Sequence, residues 1–312
     1  MSSQIKVRAP GSVMLMGEHA VVKGHWAIAC AVDKYIEVVL TPRADRIIKI
    51  DSVLAQYSAS LDDLKTDKNL TFVLKVIELQ LANLLTGFEL KITAQFSHTL
   101  GLGSSAAVTV ATVKALVQYT QQVLSKQQHL QLSLSVVHAV QGRGSGTDLA
   151  ASIYGGIIAY QIAPGCVENL PLIPQLSLHY AGYKTTTATV LALVAKKEQQ
   201  APALHHAIYE LMNSITVASI AAIKNQQWVL LGELMNMYQG QLDSLGVNDA
   251  ALSDIVYQLR SEAGIEAGIL GAKISGSGLG DCVISLGCQF DLDNYQQIKF
   301  NTSSEGMVFH EC

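Results

Sequence analysis

The segment that follows Gly101-Leu102-Gly103-Ser104-Ser105 constrains this chain more than any other. To about Leu124 it is rich in Ala and Val, with neither Gly nor Pro, and so predicts a buried central helix. The residues before it supply partners. From Ile5 to about Asp51, short β-branched runs alternate with Gly turns, which reads as a meandering sheet. Asn69 to Leu85 carries Leu70, Val73, Leu74, Ile77, Leu81, Leu84 and Leu85 at helical spacing, and Phe88 to Phe96 alternates as a strand.

Downstream, Leu132 to Val140 and Thr147 to Tyr154 read as helices and Gly156 to Ile162 as a strand, before a Pro-containing stretch from Pro164 to Pro174 where the composition changes. A strand at Leu176 to Tyr180 follows, then helices over Ala203 to Asn225, Trp228 to Leu242 and Ala250 to Ala263. Strands at Ile269 to Ile274, Cys282 to Leu286 and near Met307 to His310 close the chain. The mixture lacks regular βαβ alternation, so the fold class is α+β in two halves, divided as 1–170 and 171–312.

Composition excludes several functions. Charged residues are 15% of the 312 and hydrophobic ones 49%, so a disordered or solvating chain is ruled out. Lys plus Arg less Asp plus Glu, 21 − 25 = −4, comes without a run of like charge, which argues against nucleic acid or an anionic membrane as partner. The cysteines Cys30, Cys166, Cys282, Cys288 and Cys312 form no metal spacing and suit a reducing compartment. The start, Met1-Ser2-Ser3-Gln4-Ile5-Lys6, has no apolar signal stretch, and a cytoplasmic location is expected.

Three glycine-bearing motifs carry the chemistry. Gly101 to Ala107 sits between a strand and a long helix, where backbone N–H groups and the helix start suit a polyphosphate. It is neither a Walker loop nor a dinucleotide fingerprint, and a tight turn with a Ser cap reads the same residues as well. Ala9-Pro10-Gly11-Ser12-Val13-Met14-Leu15-Met16-Gly17-Glu18-His19-Ala20-Val21-Val22 ends an apolar strand in a charged pair, a cleft edge or a solvated loop. Ala272-Lys273-Ile274-Ser275-Gly276-Ser277-Gly278-Leu279-Gly280-Asp281-Cys282 is a Gly-rich link between two strands and alone is consistent with a plain hairpin.

In this order the three motifs resemble those of the GHMP kinase superfamily, and the first is similar to its mevalonate kinase branch; galactokinases continue Gly-Glu-His with Thr-Asp-Tyr, where this chain has Ala20-Val21-Val22. Ser145-Gly146-Thr147-Asp148 to Gly155-Gly156 and Leu245-Gly246-Val247 are similar to the same branch. The resemblance implies a ribosomal protein S5 domain 2-like first domain, a ferredoxin-like second domain, and ATP between them. It implies transfer of the ATP γ-phosphoryl to the 5-hydroxyl of (R)-mevalonate with Mg²⁺, and leaves open a homodimer. Gly101, Leu102, Gly103, Ser104, Ser105 and Ala106 would hold the nucleotide, with Ser105 on Mg²⁺. Asp148 would take the hydroxyl proton, although a carboxylate in the first turn of a helix needs no substrate. Glu18, His19, Gly276 and Ser277 would meet mevalonate.

Four departures stand out. Ser12 occupies the place of the family's usual Lys; Val137, eleven positions before Asp148, that of its Mg²⁺-binding Glu; Asp281 that of a small glycine; and Ser97 and His98 lie where a Pro is usual. Lys184, in Gly182-Tyr183-Lys184-Thr185-Thr186-Thr187, is the candidate to replace the lost cation, against a solvated loop Lys as the simpler reading. Another GHMP kinase, such as phosphomevalonate kinase, and a non-catalytic ligand sensor are the alternatives. His138, His205 and His206 read as structural, since an adjacent doublet cannot share one helix face.

Overall fold

The computed structural model describes residues 4–97, 100–163 and 165–311; Met1, Ser2, Ser3, His98, Pro164 and Cys312, named above, lie outside them. The first layer is an eight-stranded sheet. Its spine is the antiparallel pair β1 (Ile5–Met16) and β2 (Ala27–Pro42), each one long strand where the sequence suggests two short ones. Irregularities absorb the breaks. The register shifts between Pro10 and Gly11 and between Met14 and Met16, so the Pro-Gly bends the strand without ending it. Beyond β2 lie β5 (Phe88–Ala94), β3 (Ile47–Ser52) and β4 (Gln56–Ser60), while β6 (Ile157–Gln161) pairs with β2 and carries β7 (Cys166–Leu170).

Four helices complete this layer: α1 (Thr71–Gln80), α2 (Ser104–Tyr119), α3 (Lys126–Gln141) and α4 (Thr147–Tyr154), with α2 and α4 on the sheet and α1 and α3 packed on α2. The expected central helix is α2. Ala106, Ala107, Val110, Ala111, Val113, Ala115, Leu116 and Val117 are all buried, against β1, β2 and the other three helices. It stops before Leu124 because Gln121 turns left-handed (φ 54°), its N–H reaching Gln118 O while Gln122 N–H reaches Val117 O, a Schellman closure. α3 starts at Lys126, earlier than its apolar pattern suggests, because Ser125 and Gln128 form a reciprocal capping box.

The second layer is a four-stranded sheet, ordered β11 (Gln296–Ile298), β8 (Leu176–Lys184), β10 (Gly280–Gly287) and β9 (Ile269–Ser275). It is dressed by α5 (Thr187–Gln200), α6 (Pro202–Lys224), α7 (Trp228–Leu245), α8 (Ala250–Leu259) and α9 (Glu262–Glu266). The end of the chain then returns. Asn301 and Ser303 bond to Asp33 and Ala31, and β12 (Val308–Glu311) pairs with β1. The first layer therefore takes in residues past 300 as well as those before 170, because β1 has an open edge that only a late strand fills.

Candidate active site

The site forms where the Gly-Glu-His turn of the first layer is driven between the two sheets. Glu18 and Lys273 of β9 make a buried ion pair, Nζ to Oε1 2.6 Å, with side chains 1% and 0% exposed. The ammonium also donates to Ile274 O (2.5 Å) and lies 5.3 Å from the Tyr238 ring centre, while the Tyr238 hydroxyl donates to Glu18 O (2.8 Å). Burial lowers the Lys273 pKa and the Glu18 charge opposes that shift. Glu18 Oε2 has no protein partner among the described residues.

His19 follows with a left-handed backbone, φ 62°, which turns its ring toward the second layer. Its Nε2 donates to Ser277 O (2.9 Å), the carbonyl being able only to accept. Burial lowers its pKa, with the Ser277 bond and Glu18 opposing, so the ring is neutral and Nδ1 is a bare acceptor, buried and unpartnered among the described residues. Gly276 and Ser277 are half-buried at this edge, and Ser275 Oγ donates across the layers to Met14 O (2.9 Å).

The phosphate turn lies beside it. Gly103 caps α2 with φ 64° and no side chain caps the helix, so the turn is not the Ser-capped start that its sequence also allows. The first helical bond is Ala107 N–H to Gly103 O, and the N–H groups of Ser104, Ser105 and Ala106 find no acceptor among the described residues. These are the groups an anion would meet. Leu102 differs from expectation: its amide donates to Leu100 O (2.6 Å), its carbonyl accepts from Ser12 N (3.0 Å) and its side chain is in the core. It anchors the turn and has no amide left for a ligand.

Asp148 sits in the first turn of α4, behind the Gly146 cap, and accepts a bond from Ser12 Oγ (2.8 Å). Burial raises its pKa above 3.8; Ser12 and Lys184 oppose the shift, and Asp281 and Glu18 reinforce it. Ser12, in the usual Lys position, thus keeps contact with the carboxylate without supplying charge. Lys184 Nζ lies 2.8 Å from Asp281 Oδ2, close enough to act electrostatically on Asp148. β8 runs on to Lys184 where the sequence suggests a loop, and a register irregularity pairs Cys282 with Tyr180 but Gly280 with Lys184. That bulge, at Gly182 (φ 91°) and Asp281 (φ 71°), re-aims the strand end at the cleft.

The structure thus gathers Ser12, Glu18, His19, the 101–106 turn, Asp148, Lys184 and the 276–281 turn in one neighbourhood between the two sheets. Sequence reasoning passed over Lys273 as a site residue. The signal was present: a lone Lys inside the apolar strand Ile269 to Ile274 has to be paired if buried.

The model of the GHMP kinases N terminal domain matches residues 71–156, that of the GHMP kinases C terminal matches 219–297, and a galactokinase galactose-binding signature matches 2–42, the stretch holding Glu18 and His19. A mevalonate kinase of Pyrococcus abyssi is 33% identical over 306 residues, 92% of this chain and 89% of that protein. The structure of an L. major mevalonate kinase in complex with R-mevalonate superposes with a TM-score of 0.71 at 25% identity, over 90% of this chain and 86% of that one. A Streptococcus pneumoniae phosphomevalonate kinase, in complex with phosphomevalonate and AMPPNP, has the same fold, with TM-score 0.74 at 18% identity, over 91% and 92% of the two chains. With sequence identity sustained over nearly the whole length, the chain belongs to the GHMP kinases, in the mevalonate kinase family.

Proposed function

We propose that this protein transfers the γ-phosphoryl group of ATP to the 5-hydroxyl of (R)-mevalonate, giving 5-phosphomevalonate and ADP. The observation that carries the reading is the juxtaposition, through Ser12, of the Asp148 carboxylate with the uncapped start of α2. Phosphoryl transfer needs a place for the polyphosphate and an acceptor for the alcohol proton, and these two groups supply them.

In this reading the amides of Ser104, Ser105 and Ala106 hold phosphate oxygens, helped by the helix dipole. Asp148, whose pKa is raised but opposed by Ser12 and Lys184, accepts the proton of the substrate hydroxyl as the oxygen attacks phosphorus. Lys184 supplies the positive charge that Ser12 lacks. Neutral His19 accepts from a substrate hydroxyl at Nδ1, and Glu18 Oε2 is a second acceptor; both prefer hydroxyls to the substrate carboxylate, which has no proton to give them. Gly276 and Ser277 close the same edge. Mg²⁺ suits the hard oxygen donors here, the Ser105 hydroxyl and a carboxylate, and when bound it neutralises the transferring group. The free cysteines Cys30, Cys166, Cys282 and Cys288 support a reducing, cytoplasmic setting, and no helix among the described residues is long and apolar enough to cross a membrane.

The test is ADP release by the purified protein with ATP, Mg²⁺ and either mevalonate or phosphomevalonate. Turnover with mevalonate alone is expected. Turnover only with phosphomevalonate, or with neither, contradicts the proposal.

A further inference from the structure

Two acids stand at the ends of the phosphate turn. Asp148 meets it through Ser12, whose hydroxyl donates to the carboxylate (2.8 Å) and lies where a Cβ on Gly103 would fall. Asp281 meets it directly, since a Cβ on Gly101 would overlap both of its carboxylate oxygens. The three residues from Gly101 to Gly103 therefore span the gap between the proposed base and Asp281, and the Lys184 ammonium is 2.8 Å from Asp281 Oδ2. Lys184 and Asp281 both act electrostatically on Asp148, with opposite signs.

Asp281 is closed in by the protein. Its side chain is 9% exposed, Oδ2 accepts from Lys184, Oδ1 accepts from the Cys282 thiol (3.5 Å), and Gly101 packs on it while its own N–H bonds to the same sulfur. Lys184 is its opposite. The side chain is 36% exposed, and Asp281 is its one ion-pair partner among the described residues. An ammonium on a flexible four-carbon stem swings into solvent unless something holds it. The backbone brings the two together: Asp281 stands at φ 71°, in the left-handed region that a glycine occupies without strain, and Gly280 beside it pairs with Lys184 across the β8–β10 irregularity.

We infer that Asp281 is a positioning residue for phosphoryl transfer: it holds the Lys184 ammonium against the phosphate turn and itself touches neither nucleotide nor alcohol. A carboxylate in contact with a triphosphate would repel it; set behind Gly101 and paired with Lys184, the acid anchors the cation instead. The ammonium has three N–H donors, so it keeps Asp281 and still donates to a phosphate oxygen when nucleotide is bound. Asp281 thus acts only through Lys184. The inference rests on the phosphotransfer reading, with Lys184 as its cation.

The experiment measures phosphoryl transfer from ATP to mevalonate, and AMPPNP affinity by calorimetry, for the wild type, Asp281→Gly, Asp281→Asn, Lys184→Ala and the double variant Lys184→Ala/Asp281→Gly. Glycine fits φ 71°, so Asp281→Gly removes the carboxylate and relaxes the backbone; Asp281→Asn keeps the shape and guards against a glycine variant that fails to fold. In Asp281→Gly, kcat should fall by at least about tenfold, the loss expected of Lys184→Ala, while AMPPNP affinity stays within about threefold or improves, a negative charge having gone. Asp281→Asn should lie between, because an amide oxygen holds an ammonium more weakly than a carboxylate does. The double variant should lose no more than Lys184→Ala alone. An Asp281→Gly kcat within about twofold of the wild type overturns the inference, as does a double variant whose loss is the product of the two single losses, or an AMPPNP affinity weakened beyond about threefold. A wild type that passes no phosphoryl group to mevalonate overturns the phosphotransfer reading itself, and this inference with it.

Discussion

Lys273→Met leaves the Glu18 carboxylate without a counter-charge in a position 1% exposed. Breaking a buried pair from one side costs about 3–5 kcal/mol, because the surviving charge is neither solvated nor paired. At about 2 °C per kcal/mol for a chain of this size, the Tm should drop by about 6–10 °C. Glu18→Gln should cost less, about 2–3 kcal/mol, since the ammonium keeps its bond to Ile274 O and its place over the Tyr238 ring. Glu18→Gln/Lys273→Met removes both charges and should recover about half of the summed loss of the two singles, a coupling of about 2–4 kcal/mol. The pH dependence has a definite sign. The folded-state pKa of Lys273 is below the 10.5 of an exposed lysine, so between the two values the unfolded chain binds more protons. Its contribution is therefore fully favourable above 10.5 and is lost as pH falls through the folded-state pKa. Thermal and urea unfolding, followed by circular dichroism over a pH series, measures all of this. Lys273→Met within about 1 kcal/mol of the wild type, or a double variant no more stable than the sum of the singles, would refute the reasoning.

Other expectations follow from the same geometry. Gly103→Ala puts a Cβ on a residue at φ 64° and into the Ser12 hydroxyl, so stability should fall by about 1–2 kcal/mol and turnover by about 10²-fold, read by unfolding and by kcat. Because the Asp148 pKa is raised, the acid limb of kcat/KM should lie above pH 3.8; Ser12→Ala removes an opposing bond and should move that limb higher still. Lys184→Ala should lower kcat by at least about tenfold, with Ser12→Lys in that background restoring part of it; an unchanged kcat in Lys184→Ala, with Asp148→Asn inactive, would show that the cation is not needed there.

Much of the first layer was readable because its signals are local. The limits of α4, Thr147 to Tyr154, are set by Gly146 and Gly155, both at positive φ, and the burial of α2 follows from its uniform Ala and Val face. What was not readable depends on distant partners. β8 reaches Lys184 only because Gly280 pairs with it, and β12 returns to β1 across the whole chain. The helix α5, capped by Thr186 on Thr189 N–H, hides behind a polar run of threonines. In the site, Asp148, Glu18 and His19 stand out as the charged or polar members of their motifs, whereas Lys273, at the strand end of the third, is identified by being a charge that the strand cannot bury alone. Leu102 shows the reverse, a motif residue whose amide the turn consumes internally.

The most direct measurement is phosphorus NMR of the reaction of ATP, Mg²⁺ and mevalonate, run with the wild type and with Asp148→Asn. A phosphomonoester signal should grow with that of ADP in the wild type and be slowed by about 10²- to 10⁴-fold in the variant, while AMPPNP affinity stays within about threefold. An Asp148→Asn protein that makes the ester at the wild-type rate would contradict the account.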